Sequence, residues 1–373
     1  MRDALLTLIR SDEPIGVVPY GVVPYIACVE SSPAIKGSGD TRFNDLALKI
    51  YQYQFQRNIP YQKFCLSQKK TDETVHQWED IPPLPVTAFK LIDLACRPID
   101  DAVRVFHSSG TTGQMNYSRH YLFDLQIAQA AILSHFKPHL SLLKKMRLYI
   151  LTPSPAEAPH SSLSYMMETI RAAYGTEESD YYIHRGRLLG EKLSYDLSCA
   201  TEAVILLGTS FSFVHFIDFH QEHALPIALP KGSQLMDTGG FKGKSRAVSR
   251  HWLYAVIQNR LGISYCVNEY GMSEITSQFY SRKGATTYCS PPQTRWKILS
   301  PETLKPVRKG EIGLLAIYDL ANIDSVLALL TEDLAREGDD GFELIGRTKN
   351  ADQKGCSVAL DTLLQNTNER RIL

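Results

Sequence analysis

The sequence predicts an α/β protein with a mostly parallel sheet, crossover helices and a smaller β-rich part near its carboxyl end. From about residue 100 onward, strand-like runs alternate with helix-like runs, which is typical of parallel strands joined by helices. After residue 288 the pattern changes to hairpin-like β segments. At ~150 residues per domain, a chain of 373 residues has room for two or three structural units.

The amino-terminal part contains one clear helical pattern. Residues 1–40 are predicted to be irregular, because prolines interrupt them, and they hold Gly-Val-Val-Pro-Tyr twice in tandem at 16–25. Apolar side chains recur at helical spacing from 43 to about 57, which predicts a helix. The proline-rich stretch 81–85 fits neither a helix interior nor a central strand and predicts a rigid extended connector.

The remaining elements follow from the same patterns. Strands are predicted at 103–106, 148–151, 203–207 and 263–267, and helices at 124–136, 161–174 and 246–261. The β-rich part has predicted segments at 295–299, 310–318 and 342–345. The expected organisation is an irregular segment (1–40), an α/β core (41–290), a β-rich subdomain (291–347) and a short tail (348–373).

Charge and composition exclude several classes of function. Forty basic residues balance forty acidic ones, which argues against a general nucleic-acid or anionic-membrane surface. No apolar run approaches the ~18 residues of a membrane span, and the charged amino terminus does not match a signal peptide. Seven scattered cysteines without a C-x-x-C make a disulfide framework or a zinc site unexpected. These observations predict a soluble cytoplasmic enzyme.

A glycine-rich segment follows the strand predicted at 103–106. It consists of His107, Ser108, Ser109, Gly110, Thr111, Thr112, Gly113 and Gln114. Two glycines among hydroxyl residues give a flexible backbone whose N–H groups and hydroxyls can donate to phosphate oxygens. The segment is not a Walker A loop, since no lysine follows Gly113. A plain Ser/Thr/Gly turn is the alternative that this segment alone leaves open.

A second group of residues suited to a nucleotide follows the strand predicted at 263–267. The run Asn268-Glu269-Tyr270-Gly271-Met272-Ser273-Glu274 offers a ring for adenine, a hydroxyl for phosphate and a carboxylate for Mg²⁺. Further along, Asp333 offers a carboxylate for both ribose hydroxyls, and Gly346-Arg347 comes shortly after. By themselves, Asp333 also fits a turn or cap and Arg347 a surface ion pair.

In this order and spacing, these segments resemble the adenylate-forming superfamily, which includes acyl-CoA synthetases, firefly luciferase and peptide-synthetase adenylation domains. Residues 108–113 match its phosphate loop, and residues 270–274 match its aromatic-Gly-x-hydroxyl-Glu motif. Residues 331–333 match its Thr-Gly-Asp, with Glu332 in place of the glycine. The matches to its hinge Gly-Arg and to its adenine-side glycine pair are Gly346-Arg347 and Gly239-Gly240.

Within the superfamily, the chain looks most like the acyl-protein synthetase (LuxE-type) branch, the synthetase component of bacterial fatty acid reductase. The segments that carry this likeness are 81–85 with Ala88-Phe89-Lys90, 159–164, and Lys354-Gly355-Cys356-Ser357 after the hinge pair. The similarity runs from about residue 40 to the end. It implies an adenylate-forming large domain with parallel sheets and crossover helices.

The resemblance implies that the protein uses ATP and Mg²⁺ to activate a carboxylic acid, of the fatty acid class, as acyl-AMP with release of pyrophosphate. Residues 108–113 would then hold the triphosphate, and Gly239-Gly240 would border adenine. Within the second group, Tyr270 would stack on adenine, Ser273 would hold the α-phosphate and Glu274 would bind Mg²⁺, with Gly271 and Met272 completing the loop. Asp333 would hold the ribose, and Arg347 the ribose or phosphate.

The carboxyl end departs from ordinary members of the superfamily. A mobile domain with a catalytic lysine follows the hinge in those members, whereas 26 residues follow Arg347 here (373 minus 347). The acyl-protein synthetases share this shortened end and are thought to place a cysteine there for acyl transfer. Cys356 is therefore the candidate nucleophile, and Lys354 would favour its thiolate. The expected acceptor is a reductase or carrier-type protein, which is compatible with a multi-enzyme complex.

The acyl pocket is the least defined part of the predicted site. His160 is expected to line it or to orient the carboxylate, although a cap of the following helix is an equally simple role. Phe211 and His215 lie in the aromatic stretch 207–219, which is predicted to be either a wall of the acyl channel or ordinary core.

Three other functions remain open from the sequence. The first is a stand-alone ligase that transfers to coenzyme A or a carrier protein, as in phenylacetate–CoA ligase; an acyl-enzyme that vanishes without Cys356 would exclude it. The second is an acyltransferase that takes a preformed thioester and needs no ATP. The third is a nucleotide-binding scaffold, which Glu332 in place of glycine weakly favours and which would bind ATP without releasing pyrophosphate.

Overall fold

The computed structural model describes residues 1–12, 38–108, 117–140, 142, 144–223, 227–239 and 248–348. Its helices are α1 (Arg2–Ile9), α2 (Ser38–Arg57), α3 (Ile59–Ser67), α4 (Leu125–His139), α5 (Ser162–Tyr174), α6 (Gly190–Ser198), α7 (Ser210–His223) and α8 (Arg250–Leu261). Its strands are β1 (Leu84–Pro85), β2 (Arg104–His107), β3 (Arg119–Leu122), β4 (Arg147–Leu151), β5 (Asp180–Tyr181), β6 (Ile183–His184), β7 (Arg187–Leu188), β8 (Val204–Thr209), β9 (Gln234–Thr238), β10 (Tyr265–Tyr270), β11 (Phe279–Ser281), β12 (Thr287–Cys289), β13 (Thr294–Leu299), β14 (Ile312–Asp319), β15 (Ala328–Gly338) and β16 (Gly341–Arg347). None of the helices in these ranges is long and apolar enough to cross a membrane.

Most of these strands form a twelve-stranded sheet, in the order β13-β14-β15-β16-β12-β11-β10-β9-β8-β4-β5, with β1 paired to β15. Strands β10, β9, β8, β4 and β5 are parallel, whereas the other neighbours along this path are antiparallel. The predicted α/β class is confirmed, because the parallel strands are joined by helices and the β-rich part follows residue 288. The strands of that part continue the same sheet, and the division into domains at residue 290 stays a prediction.

Helices cover both faces of the parallel half of the sheet. Strand β8 illustrates the reason, because it has apolar side chains on both faces. Successive side chains of a strand point to opposite faces of the sheet. Val204 and Leu206 pack on one face with α6, α7 and α8, whereas Ile205 and Leu207 pack on the other face with α4 and α5. A strand buried on both faces therefore reads as a continuous apolar run, which is what the sequence has at 204–207.

Side-chain caps fix the starts of the crossover helices. Asp124 accepts a hydrogen bond from the Gln126 amide at the start of α4, and Ser161 does the same for α5 with the amide of residue 164. Ser249 caps α8, which ends at Gly262 in the left-handed conformation, with φ of 72°. Each cap satisfies an amide that the helix itself leaves unpaired. The helices predicted at 124–136 and 161–174 are confirmed, as is the 250–261 part of the third.

The amino-terminal segment is not irregular throughout, and that prediction is wrong for α1. Leu5 and Ile9 are fully buried, and Leu6 and Leu8 nearly so, in a core that α1 shares with α2, α3 and the antiparallel half of the sheet. A helix of eight residues has too few turns to show a periodic pattern, and tertiary packing stabilises it instead. The tandem repeat at 16–25 lies outside the described residues.

The strand predicted at 103–106 does not join the large sheet. β2 pairs antiparallel with β3 in a separate two-stranded sheet, with Arg104 opposite Leu122 and His107 opposite Arg119. The four residues 119–122 that form β3 lack an alternating pattern, so the sequence does not predict this strand. The glycine-rich segment therefore links two antiparallel strands rather than a strand and a crossover helix.

The packing of α1 can be tested with a matched pair of isoleucines. Replacing fully buried Ile9 with Ala should lower the free energy of unfolding by about 2–5 kcal/mol, since it leaves a cavity. Ile59→Ala is the control, because Ile59 is 48% exposed, and it should cost less than about 1 kcal/mol. Urea unfolding followed by circular dichroism measures both. Equal losses in the two variants would show that α1 does not pack on the core.

Candidate active site

Part of the predicted site lies where the parallel strands β8, β9 and β10 end. Thr209, Thr238 and Glu269 lie in register across these three strands. Ser210 and Gly239 directly follow β8 and β9, and Tyr270 is the last residue of β10, so all three lie at the same edge of the sheet. Ligands of open α/β sheets bind outside the carboxyl ends of the strands, so this edge is the expected place for a nucleotide.

Ser273 connects the two nucleotide motifs of the sequence. Its hydroxyl donates at 3.2 Å to the carbonyl oxygen of His107, the first residue of the glycine-rich segment. The Nδ1 atom of His120 donates to the Ser273 carbonyl oxygen at 2.8 Å, and the Ser162 hydroxyl lies 3.5 Å from the Ser273 hydroxyl. Motifs separated by 166 residues thus meet at one side chain. The two segments that the resemblance assigns to one nucleotide therefore lie next to each other at this point.

The glycine-rich segment is held at its base. The Ser108 amide donates to the Ser118 carbonyl oxygen at 3.3 Å, and the Ser118 amide donates to the Ser108 hydroxyl at 3.0 Å. These bonds continue the pairing of β2 and β3 by one step. Residues 109–113 lie outside the described residues, so their contact with phosphate stays a prediction.

Glu274 is a buried carboxyl group at the centre of the site. Its burial raises its pKa, whereas the Ser118 hydroxyl and the positive charges of Lys90 and Arg347 act in the opposite direction. Its backbone carbonyl oxygen accepts a hydrogen bond from the Asn322 amide group at 2.9 Å. Mg²⁺ prefers oxygen ligands and is often held by one or two carboxylates together with substrate phosphates. One buried carboxylate with neighbouring hydroxyls fits that chemistry, although the described residues contain no group of three His, Cys, Asp or Glu side chains that could hold a metal alone.

Tyr270 and Asp333 form a pair that the sequence analysis did not predict. The Tyr270 hydroxyl donates to Asp333 Oδ2 at 2.8 Å, and the Asp333 amide donates to the Thr331 hydroxyl at 3.1 Å. The Tyr270 ring contacts Tyr288 and other aromatic rings and is 9% exposed. Burial and the adjacent carboxylate raise the pKa of Tyr270, so the phenol remains a donor. One Asp333 oxygen is thereby oriented, and stacking of adenine on Tyr270 stays a prediction.

Arg347 faces two consecutive acidic residues. Its Nη2 atom donates to Glu332 Oε2 at 2.8 Å, and its Nε atom lies 3.9 Å from Asp333 Oδ1. Asp333 and Arg347 are directly opposite in the β15–β16 pairing. The guanidinium is therefore placed at the ribose side of the predicted nucleotide site, bound to the residue that replaces the motif glycine.

Two glycines of the site have a clear structural reason. Gly239 has φ of 71°, in the left-handed region, and its carbonyl oxygen accepts from the Ser210 hydroxyl at 3.1 Å. A Cβ atom on Gly271 would lie 2.5 Å from Oε1 of Glu269, so no larger residue fits while that carboxyl group stays in place. Glu269 accepts a hydrogen bond from the Thr238 hydroxyl, and its burial raises its pKa to about 7. Gly240 lies outside the described residues.

His160 lies beside the start of the glycine-rich segment. Its ring stacks on the His107 ring with centroids 4.3 Å apart, and its Nδ1 atom donates to the Val105 carbonyl oxygen at 3.1 Å. The cap of α5 is Ser161, not His160. His160 is exposed, which leaves its ring accessible to a ligand. Its place in an acyl pocket stays a prediction.

The aromatic stretch on α7 divides into core and accessible residues. Phe213 and Phe216 are buried in the core that covers one face of the sheet. Phe211 is half-buried and contacts the exposed His215, with ring centroids 4.3 Å apart. Both follow Ser210, the residue that contacts Gly239. That Phe211 and His215 form a wall of the acyl channel therefore stays a prediction.

The predicted nucleophile Cys356 and its neighbour Lys354 lie outside the described residues.

Met272 is half-buried and packs on the core beside the motif loop, which explains an apolar residue at that position.

The structure adds residues to the site that the sequence analysis gave no role. His120 is buried, packs edge-on against the Phe89 ring and fixes the Ser273 backbone. Lys90 supplies one of the positive charges that act on Glu274. A lone histidine in a short strand gives no signal in sequence, and Lys90 appeared there only as part of the resemblance.

Solved structures share this fold. The chain superposes on 2-hydroxyisobutyryl-CoA ligase, solved with 2-HIB-AMP and CoA, with a TM-score of 0.68 over 91% of this chain and 74% of that one, at 14% identity. An open conformation of the same ligase matches with a TM-score of 0.64 over 83% and 70% of the two chains, at 13% identity. These likenesses show that the chain has the fold of that ligase.

Sequence comparison identifies the family to which the chain belongs. The family described as "Acyl-protein synthetase, LuxE" matches residues 34–365. The chain is also 22% identical to long-chain-fatty-acid–luciferin-component ligases of Aliivibrio fischeri, over 86% of this chain and 88% of that one, and of Vibrio harveyi, over 83% and 85%. The protein belongs to the acyl-protein synthetase (LuxE) family. The predicted family and enzyme class, an acid ligase, are confirmed.

The role of His120 predicts a pH dependence of stability. Burial lowers the pKa of His120 to about 4, below its ordinary value of 6.5, so the fold favours the neutral ring. The unfolded chain therefore binds more protons between pH 6.5 and 4, and the free energy of unfolding contributed by His120 is lost as pH falls through that window. His120→Gln should flatten this loss by up to about 1.4 kcal/mol per pH unit.

Urea unfolding at pH 7 and at pH 4.5 measures this effect as the difference between wild type and variant. His139 is also buried with a lowered pKa and contributes to both proteins alike, so it cancels in the difference. His76→Gln serves as the control, since His76 is exposed. The same pH dependence in all three proteins would contradict the buried neutral state of His120.

Proposed function

We propose that this protein activates a carboxylic acid with ATP as acyl-AMP, releases pyrophosphate, and passes the acyl group through its own cysteine to a protein partner. The observation that carries the proposal is the hydrogen bond from Ser273 to the His107 carbonyl oxygen. It brings the hydroxyl proposed for the α-phosphate next to the segment proposed for the β- and γ-phosphates. Family membership supports the same reaction.

The nucleotide would lie along the carboxyl edge of β8, β9 and β10. Adenine would be bordered by Tyr270 and by the glycine pair that begins at Gly239, and the ribose hydroxyls would bind Asp333. The Tyr270 hydroxyl already holds one oxygen of Asp333, which prepares the carboxylate to accept from two adjacent hydroxyls. Arg347 lies beside the same carboxylate and would contact ribose or phosphate.

The chemical step is an in-line substitution at the α-phosphorus. A carboxylate oxygen of the acid forms the new P–O bond while the bond to pyrophosphate breaks. The protein contributes position and positive charge, because the bonds change within the substrates themselves. When the nucleotide binds, the Ser273 hydroxyl would turn from the His107 carbonyl oxygen and donate to an α-phosphate oxygen, and residues 108–113 would hold the leaving pyrophosphate. Glu274 would hold Mg²⁺, which supplies positive charge to the phosphates when bound.

The acid would enter from the side of His160 and α7. His160 stands next to the base of the glycine-rich segment, where it would orient the carboxylate. Phe211 and His215 would contact the acyl chain beyond it. The names of the curated relatives include long-chain fatty acids, so a long-chain fatty acid is the proposed substrate.

Cys356 is the proposed acceptor of the acyl group. Acyl-AMP is a mixed anhydride, so a thiolate can attack its carbonyl carbon to form a thioester while AMP leaves. Lys354 would favour the thiolate form of Cys356 by its positive charge. The thioester would then exchange with a thiol or another nucleophile of a reductase or carrier-type partner. ATP and a reduced thiol are both available in the cytoplasm, which is the proposed location.

The reaction can be tested by acid-dependent exchange of pyrophosphate into ATP, with a panel of fatty, aryl and amino acids. Each active acid is then supplied in radiolabelled form, and the protein is examined for label that hydroxylamine removes. Exchange with labelled protein supports the proposal and identifies the acid. Exchange without labelled protein would indicate transfer to coenzyme A or a carrier protein. A lack of exchange with every acid would contradict adenylation and leave a thioester-dependent transferase or a nucleotide-binding scaffold.

Glu274→Gln tests the metal assignment. The change should reduce exchange by at least about 100-fold, because it removes the proposed ligand of Mg²⁺. It should not lower the free energy of unfolding at pH 7, since burial already disfavours the charged carboxylate. Glu302→Gln is the control, because Glu302 is exposed. Wild-type exchange in the Glu274 variant would remove Glu274 from the mechanism.

Cys356→Ala separates the two half-reactions. Exchange should stay near the wild-type rate, because the cysteine acts after acyl-AMP has formed, and the label on the protein should disappear. Cys199→Ala should keep its label, since Cys199 is an exposed thiol with no proposed role. If exchange is lost with Cys356, or if label persists without it, the acceptor assignment is wrong.

A further inference from the structure

The residue that replaces the motif glycine makes a specific contact. Glu332 accepts a hydrogen bond from Arg347 through Nη2, with the two atoms 2.8 Å apart. On its other side, the Arg347 Nε atom lies 3.9 Å from Asp333 Oδ1. The guanidinium is thus held between two consecutive carboxylates. A glycine at position 332 would offer only one of them.

Neighbouring residues fix the backbone of Glu332 and the side chain of Asp333 independently of the arginine. The Thr348 amide and hydroxyl both donate to the Glu332 carbonyl oxygen, at 3.0 and 3.2 Å. The Asp333 side chain accepts from the Tyr270 hydroxyl at 2.8 Å, and its amide donates to the Thr331 hydroxyl at 3.1 Å. The Glu332 backbone and the Asp333 carboxylate are therefore anchored by other bonds, and the long Arg347 side chain lies against them.

The positive charge of Arg347 also acts on Glu274, the buried carboxyl group of the site. It opposes the rise in the pKa of Glu274, so three carboxyl groups share the field of one guanidinium. The other cation that acts on Glu274 is Lys90. A nucleotide triphosphate that enters this region brings further negative charge, so the position of Arg347 bears directly on nucleotide affinity.

The contact has little value as a stabilising ion pair. The Arg347 side chain is 56% exposed and that of Glu332 is 16% exposed. Pairs of this exposure contribute about 0–1 kcal/mol to the free energy of unfolding. A comparable pair, Arg336 with Glu343, joins the same two strands nearer their turn at 2.7 Å, with side chains 49% and 21% exposed. It provides a matched control.

We propose that Glu332 is a positioning residue for the nucleotide: it holds the Arg347 guanidinium beside Asp333, so that the cation is in place when ribose and phosphate bind. Arg347 in turn neutralises the Glu332 carboxylate, which would otherwise repel the triphosphate. The inference rests on the proposed nucleotide site. Glu332 in place of the motif glycine would thus contribute to substrate binding and would not indicate a loss of activity.

The test compares Glu332→Gln, Arg347→Ala and the double variant. We expect Glu332→Gln to raise KM for ATP about 10-fold with kcat within about 3-fold of wild type, because ground-state positioning is lost. Arg347→Ala should raise KM further, since it leaves Glu332 unpaired. In that background, Glu332→Gln should lower KM, because it removes an uncompensated negative charge. The sign of the Glu332 effect is therefore expected to reverse.

KM and kcat come from pyrophosphate exchange, and the dissociation constant of Mg·ATP comes from isothermal titration calorimetry on the same proteins. Glu343→Gln should leave all three values at wild-type levels. An unchanged KM in Glu332→Gln, the same fold-change in both backgrounds, or an equal effect of Glu343→Gln would overturn the inference.

The dissociation constants of Mg·ATP distinguish a failure of this inference from a failure of the proposed reaction. A wild-type protein that binds Mg·ATP without exchange would contradict the reaction, and the dissociation constants would still decide the role of Glu332. A wild-type protein that does not bind Mg·ATP would overturn both.

Discussion

The candidate site depends on a buried polar anchor that fixes the segment after β10. The Asp319 carboxylate accepts from the Thr276 and Ser277 amides at 3.0 and 2.8 Å, and from the Ser277 hydroxyl at 2.8 Å. Asn322 accepts from Thr276 and donates to the Glu274 carbonyl oxygen. Moving the segment would leave these buried groups without partners, at a cost of about 1–3 kcal/mol each. The anchor therefore determines where Glu274 and the residues beside it lie.

The anchor also explains why the site forms at the junction of the two halves of the sheet. β10 is the last parallel strand, and the antiparallel half begins with β11. Ser273 and Glu274 come from the loop that follows β10, whereas Asp333 and Arg347 come from β15 and β16. The bond from the Tyr270 hydroxyl to Asp333 crosses between the halves. In the proposed mechanism, residues after the parallel half therefore contact the phosphates, and residues of the antiparallel half contact the ribose.

The sequence predicts those features that depend on local patterns. The strand predicted at 203–207 is predictable because alternate side chains are buried on opposite faces. The meeting of the two nucleotide motifs does not follow from a shared edge of parallel strands, since β2 pairs with β3 in a separate antiparallel sheet. Contacts set by tertiary register were not predictable. The Glu332–Arg347 pair depends on the β15–β16 register, which contains an irregularity between Leu334 and Ala335. Helix α1 and the role of His120 likewise depend on packing partners distant in sequence.

The central claim is that acyl-AMP forms where the loop after β10 meets the start of the glycine-rich segment. The most direct measurement is a crystal structure with a non-hydrolysable acyl sulfamate analogue of acyl-AMP. We expect the ribose hydroxyls to bind Asp333, the sulfamate to lie within hydrogen-bond distance of the Ser273 hydroxyl, and the acyl chain to extend past His160. An analogue bound elsewhere, or one that leaves Ser273 and Asp333 without contact, would contradict it.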